Sequence, residues 1–116
     1  MPGVSLNQKL ATFTDLWAPQ VIARFNGRDI MVVKVKGAFA WHAHADADDF
    51  FLMLQGRLVI QLRGENVQLD EGERYGVPRR AEHRPPAPEE AHLPRIEPYG
   101  EPNTGDPRTA APKDIL

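Results

Sequence analysis

The sequence predicts an all-β fold, an antiparallel sandwich or barrel, with one short helix ahead of it and an extended proline-rich tail behind. Three observations in the 116 residues carry that prediction. Short apolar–polar alternations with turn residues between them recur from residue 20 to residue 96. Asn26-Gly27 lies between two such runs and is the strongest short hairpin signal. The helical-period stripe comes first and stops at Pro19.

Residues 5–17 read as the helix. Ser5 and Gln8 have capping-box spacing, and Leu6, Leu10, Phe13 and Trp17 form one apolar stripe that needs a docking face. Val21, Ala23 and Phe25 then alternate with Ile22, Arg24 and Asn26, and Ile30 to Val35 is the return strand. Gly37 interrupts the alternation, as a bulge or bend does. Beyond it Phe39, Trp41 and Ala43 share one strand face, and Ala38, Ala40, His42 and His44 share the other.

Residues 46–49 form a polar loop. Phe50 to Leu54 lacks alternation, so both faces of that strand need cover, one from the core and one from a second subunit. Leu58, Ile60 and Leu62 alternate again; residues 63–66 and 70–73 are turns around a short strand, Val67 to Leu69. Tyr75 to Pro78, His83 to Pro86 and Ala91 to Ile96 are the remaining short strands. Nine of the eleven prolines lie from Pro78 onward, and residues 98–116 carry little apolar content, so the end reads as an extended tail without its own core.

The bulk numbers set bounds on function. A chain this size buries roughly two-thirds of its unfolded surface, enough for one modest core in one domain. A net charge of −2, with no basic stripe, argues against a nucleic-acid partner. No run of about 18 apolar residues and no leader pattern appears, so a cytoplasmic protein without a membrane segment is expected. The absence of cysteine excludes disulfides and thiolate metal sites.

The chemistry concentrates in Trp41-His42-Ala43-His44-Ala45-Asp46-Ala47-Asp48-Asp49. Two imidazoles on one strand face, a carboxylate five residues on, and His83 downstream make a set that divalent transition metals accept.

These residues also resemble the cupins, small jelly-roll β-barrels. The first cupin motif is glycine, His-x-His, an acidic residue and a second glycine, matched by Gly37, His42, His44, Asp49 and Gly56. The second is glycine, Pro-x-Gly, histidine and often asparagine, matched by Gly72, Pro78-Arg79-Arg80, His83 and Ala87. Wider features resemble a single-domain bacterial subgroup mostly without assigned function: Trp17-Ala18-Pro19, Phe50-Phe51-Leu52, Val77-Pro78-Arg79, Glu89-Glu90-Ala91 and Asn103-Thr104-Gly105-Asp106. The likeness spans about residues 20–98, giving a lead-in over 1–19, a barrel over 20–98 and a tail over 99–116. The role expected of that tail is to tie the chain end to the barrel.

The resemblance implies His42, His44, His83 and Asp49 as ligands of manganese, iron, nickel, cobalt or zinc. Three departures stand out. Asp49 replaces the usual glutamate and is shorter by one methylene, so a backbone shift, a bridging water, Asp48 in its place or three histidines alone remain open. Arg80 replaces a glycine whose turn needs an unusual backbone angle. Ala87 replaces the asparagine. Phe51 and Met53 share parity with Asp49 and are expected to face the barrel interior, as core first and as pocket lining second, and Arg80 near the barrel mouth is a candidate for holding an anion, a carboxylate or phosphate. His92 is expected to be exposed or at an edge. The implied function is a metal-dependent enzyme acting on a small oxygen-rich molecule; a non-catalytic sensing module and a metal-free epimerase-like cupin are the alternatives. A homodimer is expected from the strand at 50–54.

Overall fold

The computed structural model describes residues 3–99 and the backbone of residues 114–115. Among the described residues the helix α1 spans Leu6–Leu10, and nine strands follow: β1 Gln20–Phe25, β2 Arg28–Gly37, β3 Asp49–Leu52, β4 Leu58–Leu62, β5 Glu65–Leu69, β6 Arg74–Val77, β7 His83–Arg84, β8 Ala87–Pro98 and β9 Asp114–Ile115. They form three sheets, ordered β8-β2-β1-β9, β3-β6 and β5-β4-β7. The β-rich architecture with one short helix is the one expected. Residues 100–113 of the tail lie outside the described residues; β9 pairs in parallel with β1.

The helix is shorter than its stripe. The Ser5 side chain caps it by accepting from the Gln8 N–H, but it ends at Leu10. Beyond that point the chain trades helical bonds for bonds to β2. The Phe13 carbonyl accepts from Lys34 Nζ at 2.6 Å. The Trp17 N–H donates to the Lys34 carbonyl at 2.7 Å, and its indole N–H to the Lys36 carbonyl at 2.9 Å. β1 stops pairing at Val32, so this stretch of β2 offers an open edge, which Leu16 and Trp17 take. Trp17 reaches it with φ at +60°, outside the helical region.

Asn26 and Gly27 turn β1 into β2 with φ values of 49° and 75°, the pair of left-handed residues a two-residue hairpin requires. Gly37 has φ at +79°, beside a register shift between Val35 and Gly37. β8 runs much further than Ala91 to Ile96 despite its prolines. It is an edge strand of its sheet, and Pro94 has the parity of His92, whose N–H points away from β2 to the Gln55 carbonyl.

The core lies between the sheets. Val33 and Val35 of β2, Phe51 and Met53 from the β3 segment, Leu58 and Ile60 of β4, and Leu93 of β8 are buried together. Gly56 sits against β8 so closely that a Cβ there would lie 3.0 Å from both Cα and Cβ of Ala91. Phe50 and Leu52 are half-buried, and Leu54 is exposed.

Candidate metal centre

Residues 38–48 are not a regular strand, yet His42 and His44 still converge. The reason is a single antiparallel bridge between the two motifs. The His42 N–H donates to the His83 carbonyl at 3.0 Å and the His83 N–H returns to the His42 carbonyl at 2.9 Å. This pair brings the two motifs together and sets the imidazoles 4.4 Å apart. His44 is fixed nearby: its carbonyl accepts from the Arg80 N–H at 2.7 Å. Arg80 has φ at +70°, the backbone angle expected where glycine is usual. Asp49 opens β3, opposite Val77 of β6, with Phe51 on the same inward face.

Asp49 Oδ2 faces His83 Nε2 at 2.7 Å, His44 Nε2 at 3.4 Å and His42 Nε2 at 3.9 Å. One ligand atom from each of the four residues lies within 4.8 Å of the others. Two cis ligands about 2.1 Å from an octahedral ion are separated by about 3 Å and trans ligands by about 4.2 Å. The spacing therefore suits a common ion after small shifts.

The ring orientations suit one too. His42 Nδ1 is 2.9 Å from the Ala40 carbonyl and His83 Nδ1 is 2.9 Å from the Ala81 carbonyl. A carbonyl only accepts, so each Nδ1 carries the proton, and in the neutral ring Nε2 presents a lone pair. In His83 that lone pair meets the Asp49 carboxylate. Two acceptors at 2.7 Å need a cation between them, a proton or a metal ion.

Asp49 is ionised. Burial alone would push its carboxyl up, but the Arg95 guanidinium, with hydrogen bonds from the three imidazoles where Nε2 carries a proton, outweighs burial and holds it well below the usual carboxylate range. Arg95 of β8 was not singled out by the sequence. Its Nη2 donates to Asp49 Oδ1, and to Glu97 Oε1 at 3.0 Å. Its guanidinium lies over the Phe51 ring, 4.4 Å from the centroid. Parity could have found it: Leu93, Arg95 and Glu97 face inward together on β8. An arginine and a glutamate on the buried face of a strand are a pairing signal in themselves.

A narrow cleft with a free volume of about 30 Å³ opens beside the imidazoles, lined by Trp17, Pro19, Val33, Val35, Phe39, His42, Phe51, Leu58, Pro85, Leu93 and Arg95. Phe51 is on its wall, as its parity suggested, whereas Met53 is buried in the core and does not line it. Phe39 joins the cleft as well, stacked on Trp17 at 4.6 Å and edge-on to His42 at 5.3 Å. Strict strand alternation had put Phe39 on the opposite face; the irregular backbone of this segment removes that constraint. The Arg80 side chain is exposed, and the arginine of the cleft is Arg95. Asp48 is exposed and accepts from the Arg79 N–H at 2.9 Å. His92 is half-buried and paired with Glu90 at 2.8 Å. Trp41 faces away from the site, under the Arg63 guanidinium at 3.8 Å.

An all-β chain with three imidazoles and a carboxylate gathered between its sheets, on two motifs paired through His42 and His83, has the layout of a metal-type jelly-roll barrel. The sequence model of the cupin domain matches residues 29–94. The chain belongs to the cupin family.

A cupin-2 domain protein of Shewanella frigidimarina is 42% identical, with a TM-score of 0.80 over 82% of this chain and 93% of its own. A protein of Neisseria meningitidis is 30% identical, with a TM-score of 0.75 over 84% and 99%. A hydroquinone 1,2-dioxygenase of Sphingomonas, solved with 4-hydroxybenzoate bound, shares the fold at 15% identity, with a TM-score of 0.66 over 78% and 71%. No curated protein matches the chain.

Proposed function

We propose that this cupin holds a divalent transition metal through His42, His44, His83 and Asp49, and uses it to bind or transform a small oxygen-rich molecule. One observation carries the reading: four donor groups of the right chemistry meet within 4.8 Å, with two imidazoles oriented by backbone carbonyls. Manganese, iron, nickel, cobalt and zinc all take such ligands. The ion would supply Lewis acidity to a coordinated oxygen.

The protein's own residues do the rest. Ala40 and Ala81 carbonyls aim the rings, Arg95 holds the far oxygen of Asp49, and the apolar cleft walls exclude water around the ligand. Isomerase, decarboxylase and dioxygenase chemistry all fit this arrangement, and a dioxygenase of the same fold supports the last as one member of the set.

A second reading, a sensing or storage module without turnover, is favoured by one specific feature. Among the described residues, the cleft lining brings no carboxylic acid, tyrosine, serine or lysine to a bound molecule. Under both readings the partner is a small molecule, with a second copy of the chain in a homodimer and a cytoplasmic location forming part of the proposal.

Metal analysis by mass spectrometry on protein purified without a histidine tag tests the centre. One equivalent of metal in the wild type and loss in His83→Ala is the expected result. No metal in either after supplementation with all five candidates would refute it.

A further inference from the structure

We infer that Phe39 is the gate of the metal centre and sets the size of what it accepts: a compact, non-aromatic oxygen chelator, admitted when the Phe39 ring leaves Trp17. The inference rests on the metal reading above and narrows the ligand class of the same site.

Access is the first support. Of the four candidate ligands, His44, Asp49 and His83 are buried, and His42 lines the narrow cleft. An approach to the centre along this cleft therefore passes His42. The free volume there, about 30 Å³, holds about one water. An organic ligand enters only if one wall of the cleft moves.

The choice of wall is the second. Val33, Val35, Leu58 and Leu93 belong to paired strands and to the core cluster. Trp17 is tied to β2 by its N–H to the Lys34 carbonyl and its indole N–H to the Lys36 carbonyl. Phe39 differs. It sits on residues 38–41, between Gly37, with φ at +79°, and the bridge from His42 to His83. Among the described residues no backbone–backbone hydrogen bond joins 38–41 to another segment. The half-buried Phe39 ring stacks on Trp17 at 4.6 Å and meets His42 edge-on at 5.3 Å. Stacking of this kind favours the closed position by roughly two- to tenfold, which thermal motion overcomes.

Size is the third. The space that opens when Phe39 swings out is about that of its own ring. A compact chelator fits it. A chelator that carries a phenyl group needs that space and more, because the core behind the cleft is close-packed.

Cobalt(II)-loaded protein tests this, because the visible spectrum of the ion reports metal uptake and ligand binding separately. The probes are acetohydroxamate and benzohydroxamate, which share one chelating head and differ in a methyl against a phenyl group. Each affinity is referred to that for the free ion. Wild type is expected to bind acetohydroxamate about tenfold tighter than benzohydroxamate. In Phe39→Ala the phenyl group takes the vacated place on Trp17, so the preference is expected to fall about tenfold. Damage to the metal site weakens both probes together, so the ratio reports the gate alone. An unchanged ratio in cobalt-loaded Phe39→Ala overturns the role of Phe39, and wild type that binds both probes equally overturns the size limit. Wild type that takes up no cobalt instead defeats the metal reading, and this inference with it. Should Phe39→Ala lose its circular dichroism signature, Phe39→Leu is scored on the same ratio. It keeps an apolar side chain but not the ring, so the preference should fall about threefold, and no change overturns the role.

Discussion

Replacing Asp49 with asparagine isolates the charge at the centre of the site while keeping its shape. In the metal-free protein the Asp49 carboxylate meets Arg95 at Oδ1 and His83 Nε2 at 2.7 Å through Oδ2, all buried. Removing one partner of a buried ion pair costs about 3–5 kcal/mol, because the other charge is left uncompensated. Glu97 still meets Arg95, so the expected loss lies at the lower end, about 3 kcal/mol. Urea denaturation of the two metal-free proteins at one fixed concentration measures it. The pH dependence gives a second check with a definite sign. The folded-state pKa of Asp49 is depressed, so its contribution is fully present above the unfolded value of about 4 and fades as pH falls through the folded value. The gap between wild type and Asp49→Asn should hold from neutrality down to about pH 4 and narrow below it. A difference under about 1 kcal/mol at pH 7, or one that widens on acidification, would refute the account of Asp49 as an ionised partner of Arg95.

Two further predictions concern the scaffold. Gly56→Ala places a Cβ 3.0 Å from Ala91 at a φ of +94°, so it should cost about 2–3 kcal/mol and lower the thermal midpoint by several degrees; a shift within error refutes the close approach. The partly open apolar strand around Phe50, Leu52 and Leu54 should bury itself against a second copy, so the protein should sediment as a dimer; a monomer at micromolar concentration refutes that.

Legibility in the sequence followed how local the signal was. The β1–β2 hairpin was readable because Asn26 and Gly27 satisfy a local steric requirement that few residue pairs meet. The four candidate ligands were readable from the spacing of two motifs, and the structure brings them together. The helix was overestimated because the stripe through Phe13 and Trp17 has helical period, but the open edge of β2 competes for the same backbone. Phe39 was misplaced because alternation applies only where the chain is a strand. Arg95 was missed because its meaning depends on Asp49, 46 residues earlier, and no local rule reports that meeting.

The aspartate at position 49 was the least secure ligand from sequence, since a glutamate reaches about one carbon–carbon bond further. Geometry reverses the argument. With the backbone of β3 where it is, Asp49 Oδ2 already approaches His83 Nε2 to 2.7 Å, and Oδ1 already meets Arg95. A carboxylate carried about 1.5 Å further along the same direction would overrun the imidazoles or have to fold back, and could not keep both contacts. The aspartate is thus long enough to reach the histidines from β3, and Arg95 takes up its second oxygen. The departure from the family pattern at position 49 and the buried arginine at position 95 form one arrangement.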